Sequence, residues 1–351
     1  MYSLKYKLIL LVSTLLTMSC RHTPKEVERK PLSPYQSLSI LTKAEAADAI
    51  VIDTIEKFFD LVNPLEMSIQ MKRNYPENTK REVILADYKQ FLRNDVDSFT
   101  TPEAEKMTRI LREACLLYNK IEPKAFPFQL KLIKTHAKHY GQGVYYTRQN
   151  AIIIPEQDLK LPNEQLLQTM LHEIAHIYTR LNPKKQAELF NLLGFKRPKA
   201  TNLVISDSLY KRIFYNPDGI DLAWTTDFTI DGGKNAQVIA LIYSKVNAYQ
   251  PDLHDFMNHM GWGYFETQAT DKGLEILTIG QRQQSTLNMR DLPILFLKKF
   301  NTNYVIHPNE IIADNIKLLV LSQKDPQVLT PLTNEGRDLL LKIKNVLNKS
   351  E

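Results

Sequence analysis

The chain has little cysteine, little net charge and, beyond its first residues, no long apolar run. Its two cysteines, Cys20 and Cys115, are too few for a disulfide framework. Lysine and arginine outnumber aspartate and glutamate by 45 to 39, a formal charge of +6. That excess is spread along the chain, with no basic block and no aromatic-interleaved stripe, which argues against a nucleic-acid partner. Past residue 18 no apolar stretch is long enough to span a bilayer. The remainder is the composition of a globular protein. With 351 residues, 43% hydrophobic and 24% charged, the chain can bury a large core and has the length for two domains. Cys115 falls on an apolar helical stripe with Ile110, Leu111 and Leu117, the setting of a packed thiol rather than a nucleophile.

The N-terminus speaks to compartment. Lys5 and Lys7 precede the apolar run Leu8–Met18, which ends in Leu16-Thr17-Met18-Ser19-Cys20. A small residue before a cysteine, directly after such a run, resembles a bacterial lipoprotein signal. The resemblance implies that residues 1–19 are removed, that Cys20 is lipidated, and that the lipid holds the protein to a membrane of the cell envelope. Arg21 stands where inner-membrane retention would favour Asp, so the expected address is the outer membrane. Residues 20–40, polar and carrying Pro24, Pro31 and Pro34, read as a flexible tether.

The chemistry concentrates in Leu171-His172-Glu173-Ile174-Ala175-His176. Two histidines four residues apart project from one helical face, where they can hold one zinc ion, and Glu173 beside them can act as general base on a zinc-bound water. The flanks support a helix: Leu166, Leu167, Met170, Leu171, Ile174, Ala175, Ile177 and Tyr178 recur at helical spacing. Pro162-Asn163-Glu164 offers a start and Asn182-Pro183 a stop. Catalytic zinc needs a third protein ligand. Thr179 and Asn182 stand where a metzincin would have Gly and His, which excludes that class. Far downstream, His307-Pro308-Asn309-Glu310 opens another helix, on which Glu310 and Asp314 share a face. Glu266 is a rival third ligand.

A His-Glu-x-x-His helix followed by a Glu-x-x-x-Asp helix resembles the gluzincin class of zinc metallopeptidases. That resemblance implies that His172, His176 and Glu310 bind zinc, and that Asp314 orients a zinc-bound imidazole. It also implies that Tyr304 or His307 faces the transition-state oxyanion, and that an edge strand, Gly143–Tyr146 or Ala151–Ile154, pairs with an extended peptide.

The expected fold is α+β, a zincin-like domain with N-terminal helices and a β-containing insertion between the two ligand-bearing helices. Its parts are helices over 41–125, a strand-and-helix core over 126–200, the insertion over 201–300 and a helical end over 301–351. Thr42 and Thr100 begin capping boxes, the first leading a helix that carries Ile50, Ile55 and Phe58 on one face. Thr225–Ile230 and Val238–Tyr243 read as a hairpin across Asp231-Gly232-Gly233, and Asn216-Pro217-Asp218-Gly219 as a turn. His136 and His139 form a weaker candidate metal pair, and His254 and His259 are candidate oxyanion donors. Taken together, the expectation is a zinc-dependent, lipid-anchored enzyme acting on peptides. Two alternatives stay open: a surface lipoprotein without catalysis that binds a partner, and a zinc hydrolase of other amides.

Overall fold

A computed structural model describes residues 30–33, 36–121, 129–198, 202–229, 235–287, 292 and 294–349. The expected signal segment, Cys20 and the Asp231-Gly232-Gly233 turn lie outside the described residues. The protein is α+β, with two six-stranded sheets among the described residues.

The chain enters through β1 (Lys30–Ser33) and β2 (Gln36–Ile40), so the later part of the stretch expected to be a tether is strand. Helix α1 (Lys43–Ala49) starts at the Thr42–Glu45 capping box, in which each residue's side chain bonds the other's backbone N–H. It stops at Ile50, earlier than its apolar stripe suggests; α2 (Phe58–Leu61) is a separate turn, and Ile52 and Ile55 are exposed. Next come α3 (Pro64–Gln70), α4 (Arg81–Asn94), the two-residue β3 (Val96–Asp97) and α5 (Thr101–Asn119), the last opened by the Thr100–Glu103 capping box. Strands β4 (Gln129–Thr135), β5 (Tyr146–Arg148) and β6 (Ala151–Pro155) lead into the two helices α6 (Asn163–Leu181) and α7 (Pro183–Leu192).

The first sheet runs β1-β2-β4-β6-β5, with β3 also on β4. Strands β2, β4 and β6 are parallel; β5 is antiparallel to β6 and forms one edge. Both faces are covered, as parallel strands require. Along β6, Ile152 and Ile154 pack into the core with α5 and α6, whereas Ala151 and Ile153 pack into a second core with α1, α3 and α4. The two-residue period of a strand thus divides one apolar run between two cores.

The second sheet comes wholly from the stretch between α7 and the C-terminal helices. It comprises β7 (Leu203–Val204), β8 (Ile213–Phe214), β9 (Thr225–Thr229), β10 (Asn235–Ser244), β11 (Met260–Thr270) and β12 (Gly273–Ile276), with short α8 (Asp207–Tyr210) and α9 (Phe256–His259) between them. The β9–β10 hairpin has the expected partners, Thr229 facing Asn235. Val238, Ala240 and Tyr264 pack on the α6 core, and Ile239, Leu241 and Phe265 build a small core on the other face. The chain closes with α10 (Ile294–Lys299), α11 (Pro308–Leu321) and α12 (Asn334–Asn348). Helix α11 lies against α6, sharing its core through Ile311, Ile312 and Ile316, and the Tyr264 hydroxyl donates to the Val305 carbonyl at 2.7 Å just ahead of it. Cys115 is buried in that core, and burial pushes its thiol up to about 12, as fits a packing residue.

The N-terminal helices grip the stretch that leads to the candidate site. Glu66, fully buried in α3, accepts from the backbone N–H of Tyr215 at 3.2 Å and from the Gln70 amide at 3.1 Å. Burial, only partly offset by these donors, raises its carboxyl to about 8. A folded-state pKa above the unfolded one stabilises fully below the unfolded value and is lost as pH rises through the folded one. The stability advantage of the wild type over Glu66→Met is therefore expected to shrink between pH 5 and pH 8.5, in urea denaturation at each pH. A constant difference would show that Glu66 does not change protonation on folding.

Candidate metal centre

Helix α6 is buried along most of its length, and the same face that packs on α11 carries His172 and His176. Helix α11 meets it with Glu310 in its first turn and Asp314 one turn later. The result is a convergence of three side chains. His172 Nε2 lies 2.9 Å from His176 Nε2 and 3.2 Å from Glu310 Oε2, and His176 Nε2 lies 3.4 Å from that same oxygen. All three residues are within ligand distance of one common point.

The outer contacts fix how these groups point. Asp314 Oδ1 accepts from His172 Nδ1 at 2.9 Å, which leaves the Nε2 lone pair directed at the common point. Asp314 is itself held by the Thr302 hydroxyl at 2.5 Å and the Lys317 ammonium at 2.6 Å. Burial alone would raise its carboxyl, but His172 first and then Lys317 hold it well below the usual carboxylate range. For Glu310, too, burial opposes ionisation, and His176 and His172 outweigh it, so the carboxylate stays charged at 2% exposure. Burial likewise works against the charged form of His172, yet Asp314 and Glu310 raise it to about 10.

Four further residues at the site, Asn216, Asp218, Asn309 and Arg180, belong to no metal-binding motif. Asn216 Nδ2 donates to Glu310 Oε1 at 2.6 Å, leaving Oε2 for the two imidazoles. Asp218, 5% exposed, accepts at one oxygen from the Thr147 backbone N–H at 2.7 Å and its hydroxyl at 2.5 Å. Asn309 bonds the Asp218 carbonyl and lies 3.0 Å from the Thr179 hydroxyl on α6. Arg180, one turn past His176, donates to the Pro217 carbonyl at 3.1 Å and to the Thr147 hydroxyl at 2.7 Å. The turn expected at 216–219 therefore ties α6, α11 and β5 together. A Cβ at Gly219 would come within 2.6 Å of the His307 ring, so this corner closes only around glycine.

Glu173 is 4% exposed, and its Oε2 has no hydrogen-bond partner among the described residues; the same holds for His176 Nδ1. Burial first, and then the Asp218 carboxylate, raise Glu173 to about 7. Tyr304 lies over His172, with ring centroids 6.3 Å apart and planes 29° from parallel. Tyr304 is 45% exposed, and the Glu310 carboxylate pushes its phenol above the usual tyrosine range, so it keeps its proton.

Several expected roles go to other ends. His307 caps α11: its Nδ1 accepts from the Asn309 backbone N–H at 3.1 Å, and its Nε2 donates to the Asp221 carbonyl at 3.3 Å. With both ring nitrogens committed to backbone, it has none left for an oxyanion. Glu266 sits in β11 opposite Val238, outside the His172–His176–Glu310 group. His259 bonds backbone at Asp255 and Gln250, and His139 pairs with Asp95 at 2.5 Å, away from His136. His136 instead groups with Asp97 and Glu156, but the Lys134 ammonium, 3.8 Å from Asp97, already supplies a cation there. Of the two expected edge strands, Ala151–Ile154 lies inside the sheet between β4 and β5, and Gly143–Tyr146 reaches the edge only at Tyr146, where β5 begins; within β5 the Thr147 N–H is taken by Asp218.

No family model, curated protein or solved structure matches the chain. The chemistry of the site must therefore be argued from its own donors. Zinc binds imidazole nitrogen and carboxylate oxygen at about 2.0–2.2 Å, which in a tetrahedron separates ligand atoms by roughly 3.3 Å. The observed separations of 2.9, 3.2 and 3.4 Å bracket that value. Two imidazole nitrogens 2.9 Å apart beside a carboxylate are satisfied by one shared proton or by one cation that displaces it, and the partnerless Glu173 oxygen needs a polar neighbour. The residues fit a tetrahedral cation with one open position. Asn216→Ala is expected to weaken zinc binding about 10–100-fold, in competition with a chromogenic chelator, while the far-UV circular dichroism stays unchanged. Unaltered affinity would show that Asn216 does not orient Glu310.

Proposed function

We propose that the protein is a zinc-dependent metallopeptidase of gluzincin type, with His172, His176 and Glu310 as ligands and Glu173 as general base. The observation that carries this reading is the convergence of His172 Nε2, His176 Nε2 and Glu310 Oε2, with Asp314 behind His172 and the open Glu173 oxygen beside them. When bound, zinc supplies a Lewis acid and a water acidified towards a pKa of about 7.

The chain's own groups do the rest. Glu173, raised to about 7 by burial and by Asp218, is matched to accept a proton at Oε2 and return it to the leaving amine. Asp314 keeps His172 in the tautomer that presents Nε2. Tyr304, protonated and stacked over His172, is the donor available to a carbonyl oxygen that gains charge. In this role Tyr304 stands alone, since His307 is committed to its helix.

Elemental analysis and peptide hydrolysis on the purified full chain test the reading. Wild type and Glu173→Gln are expected to hold about one zinc each, and Glu310→Ala far less. Hydrolysis should fall by several orders of magnitude in Glu173→Gln. Full activity in that variant, or no zinc in zinc-supplemented wild type, would overturn the assignment.

We also propose that Cys20 is lipidated and holds the enzyme to the bacterial envelope, at the outer membrane, on the strength of the signal-like residues before it. Among the described residues no helix is long and apolar enough to cross a membrane. Cys20→Ala is expected to abolish palmitate labelling and to leave residues 1–19 uncleaved; a variant that still takes the label would refute the anchor.

A further inference from the structure

A cavity of about 250 Å³ opens beside the candidate metal centre. Its interior is aromatic and aliphatic, formed by Tyr140, Phe214, Phe256, Met260, Trp262 and Ile306. Phe256 stacks on Phe214 at 4.9 Å and meets Tyr140 edge-on at 5.0 Å, which makes that wall rigid. Its mouth belongs to the centre itself. Asn216, which bonds Glu310, and Tyr304, which lies over His172, both line it, as does Val144 just ahead of the edge strand β5. Asp218 is the one charged residue among the described lining, and one of its oxygens is already bonded to Thr147.

We infer that this cavity receives one large apolar side chain of a peptide substrate, on the residue next to the scissile bond. The inference rests on the peptidase reading and adds the substrate class. Sites for whole drug-sized ligands run to about 300–1,000 Å³, so a smaller cavity suits a single side chain. A carboxylate placed against these rings and Asp218 would lose its hydration and meet a like charge, so aspartate and glutamate are rejected there. Most of the wall comes from the segment between α6 and α11. That segment therefore sets specificity, while the two helices set the chemistry.

The test uses zinc-loaded full chain in detergent and quenched decapeptides that differ at one position, occupied by Phe, Leu, Gly or Asp. Phe and Leu peptides should be cut next to that residue with kcat/KM at least about tenfold above the other two. Met257→Asp, a substitution at an exposed residue of the cavity rim, should reduce the Phe-to-Gly ratio severalfold. A second readout needs no turnover. In zinc-loaded Glu173→Gln lacking Trp224 through Trp224→Phe, the Phe decapeptide should bind at least about tenfold tighter than the Gly decapeptide and shift the fluorescence of Trp262, the other tryptophan. Equal binding of the two peptides, or cleavage without side-chain preference, would overturn the inference. Preferential binding in Glu173→Gln with no cleavage by wild type would uphold the cavity and remove the peptidase reading.

Discussion

A carboxylate at 2% exposure, as Glu310 is, would cost several kcal/mol if it stood alone, and the architecture around it answers that cost. The two imidazoles of α6 offset the charge on one oxygen, and Asn216 holds the other. Each of those partners depends on something else. The imidazoles need α6 and α11 in one register, which the apolar packing of Ile311, Ile312 and Ile316 provides; a fully buried side chain of that kind contributes about 1.5–3 kcal/mol. His172 needs Asp314 to fix its tautomer, and Asp314 needs Lys317 and Thr302. Removing any one of these leaves a charge or a lone pair without a partner in a poorly hydrated place.

The segment between the two helices belongs to this same network. Asn63 donates to the Ile213 carbonyl at 2.5 Å and Glu66 accepts from Tyr215, so the N-terminal helices hold the approach to Asn216 and Asp218. Asp218 binds the edge strand through Thr147, Arg180 binds the same turn from α6, and Asn309 binds it from α11. Three distant parts of the chain thus meet at Asn216, Pro217 and Asp218, and a fourth holds Ile213 and Tyr215 just before them. A rigid turn of this kind keeps Glu310 from swinging between its two oxygens and keeps Asp218 close enough to hold Glu173 near neutrality. The same turn borders the aromatic cavity, so the centre and the cavity share one support.

Much of this was legible in the residues. The capping boxes at Thr42 and Thr100 mark their helices because a hydroxyl and a carboxylate three residues apart satisfy each other's backbone in that one conformation. Pro162 and Pro183 bracket α6, and the apolar stripe along it needs no tertiary contact to be read. Glu310 and Asp314 lie on one face of α11 by helical geometry alone. Local rules fixed these features, and with them the candidate ligands and base. Where an apolar stripe was the only guide, as past Ile50, the chain turned away from the helix, because a stripe does not say where a helix stops.

Tertiary structure decided the rest, since it depends on residues far apart in the chain, 71 positions for Thr147 and Asp218 and 94 for Asn216 and Glu310. Nothing near Asn216 or Asp218 distinguishes their turn from any other polar turn, and their role exists only because β5, α6 and α11 converge there. His307 looked as well placed for catalysis as Tyr304; the difference is that a helix start needs its backbone donors satisfied, and the nearer ring answered that need. The sequence by itself determined which side chains can hold a metal and on which helices they ride. The packing of those helices on each other, and of the second sheet against both, decided which carboxylate completes the set and what kind of side chain the neighbouring space admits, because those are properties of distances the chain sets only when folded.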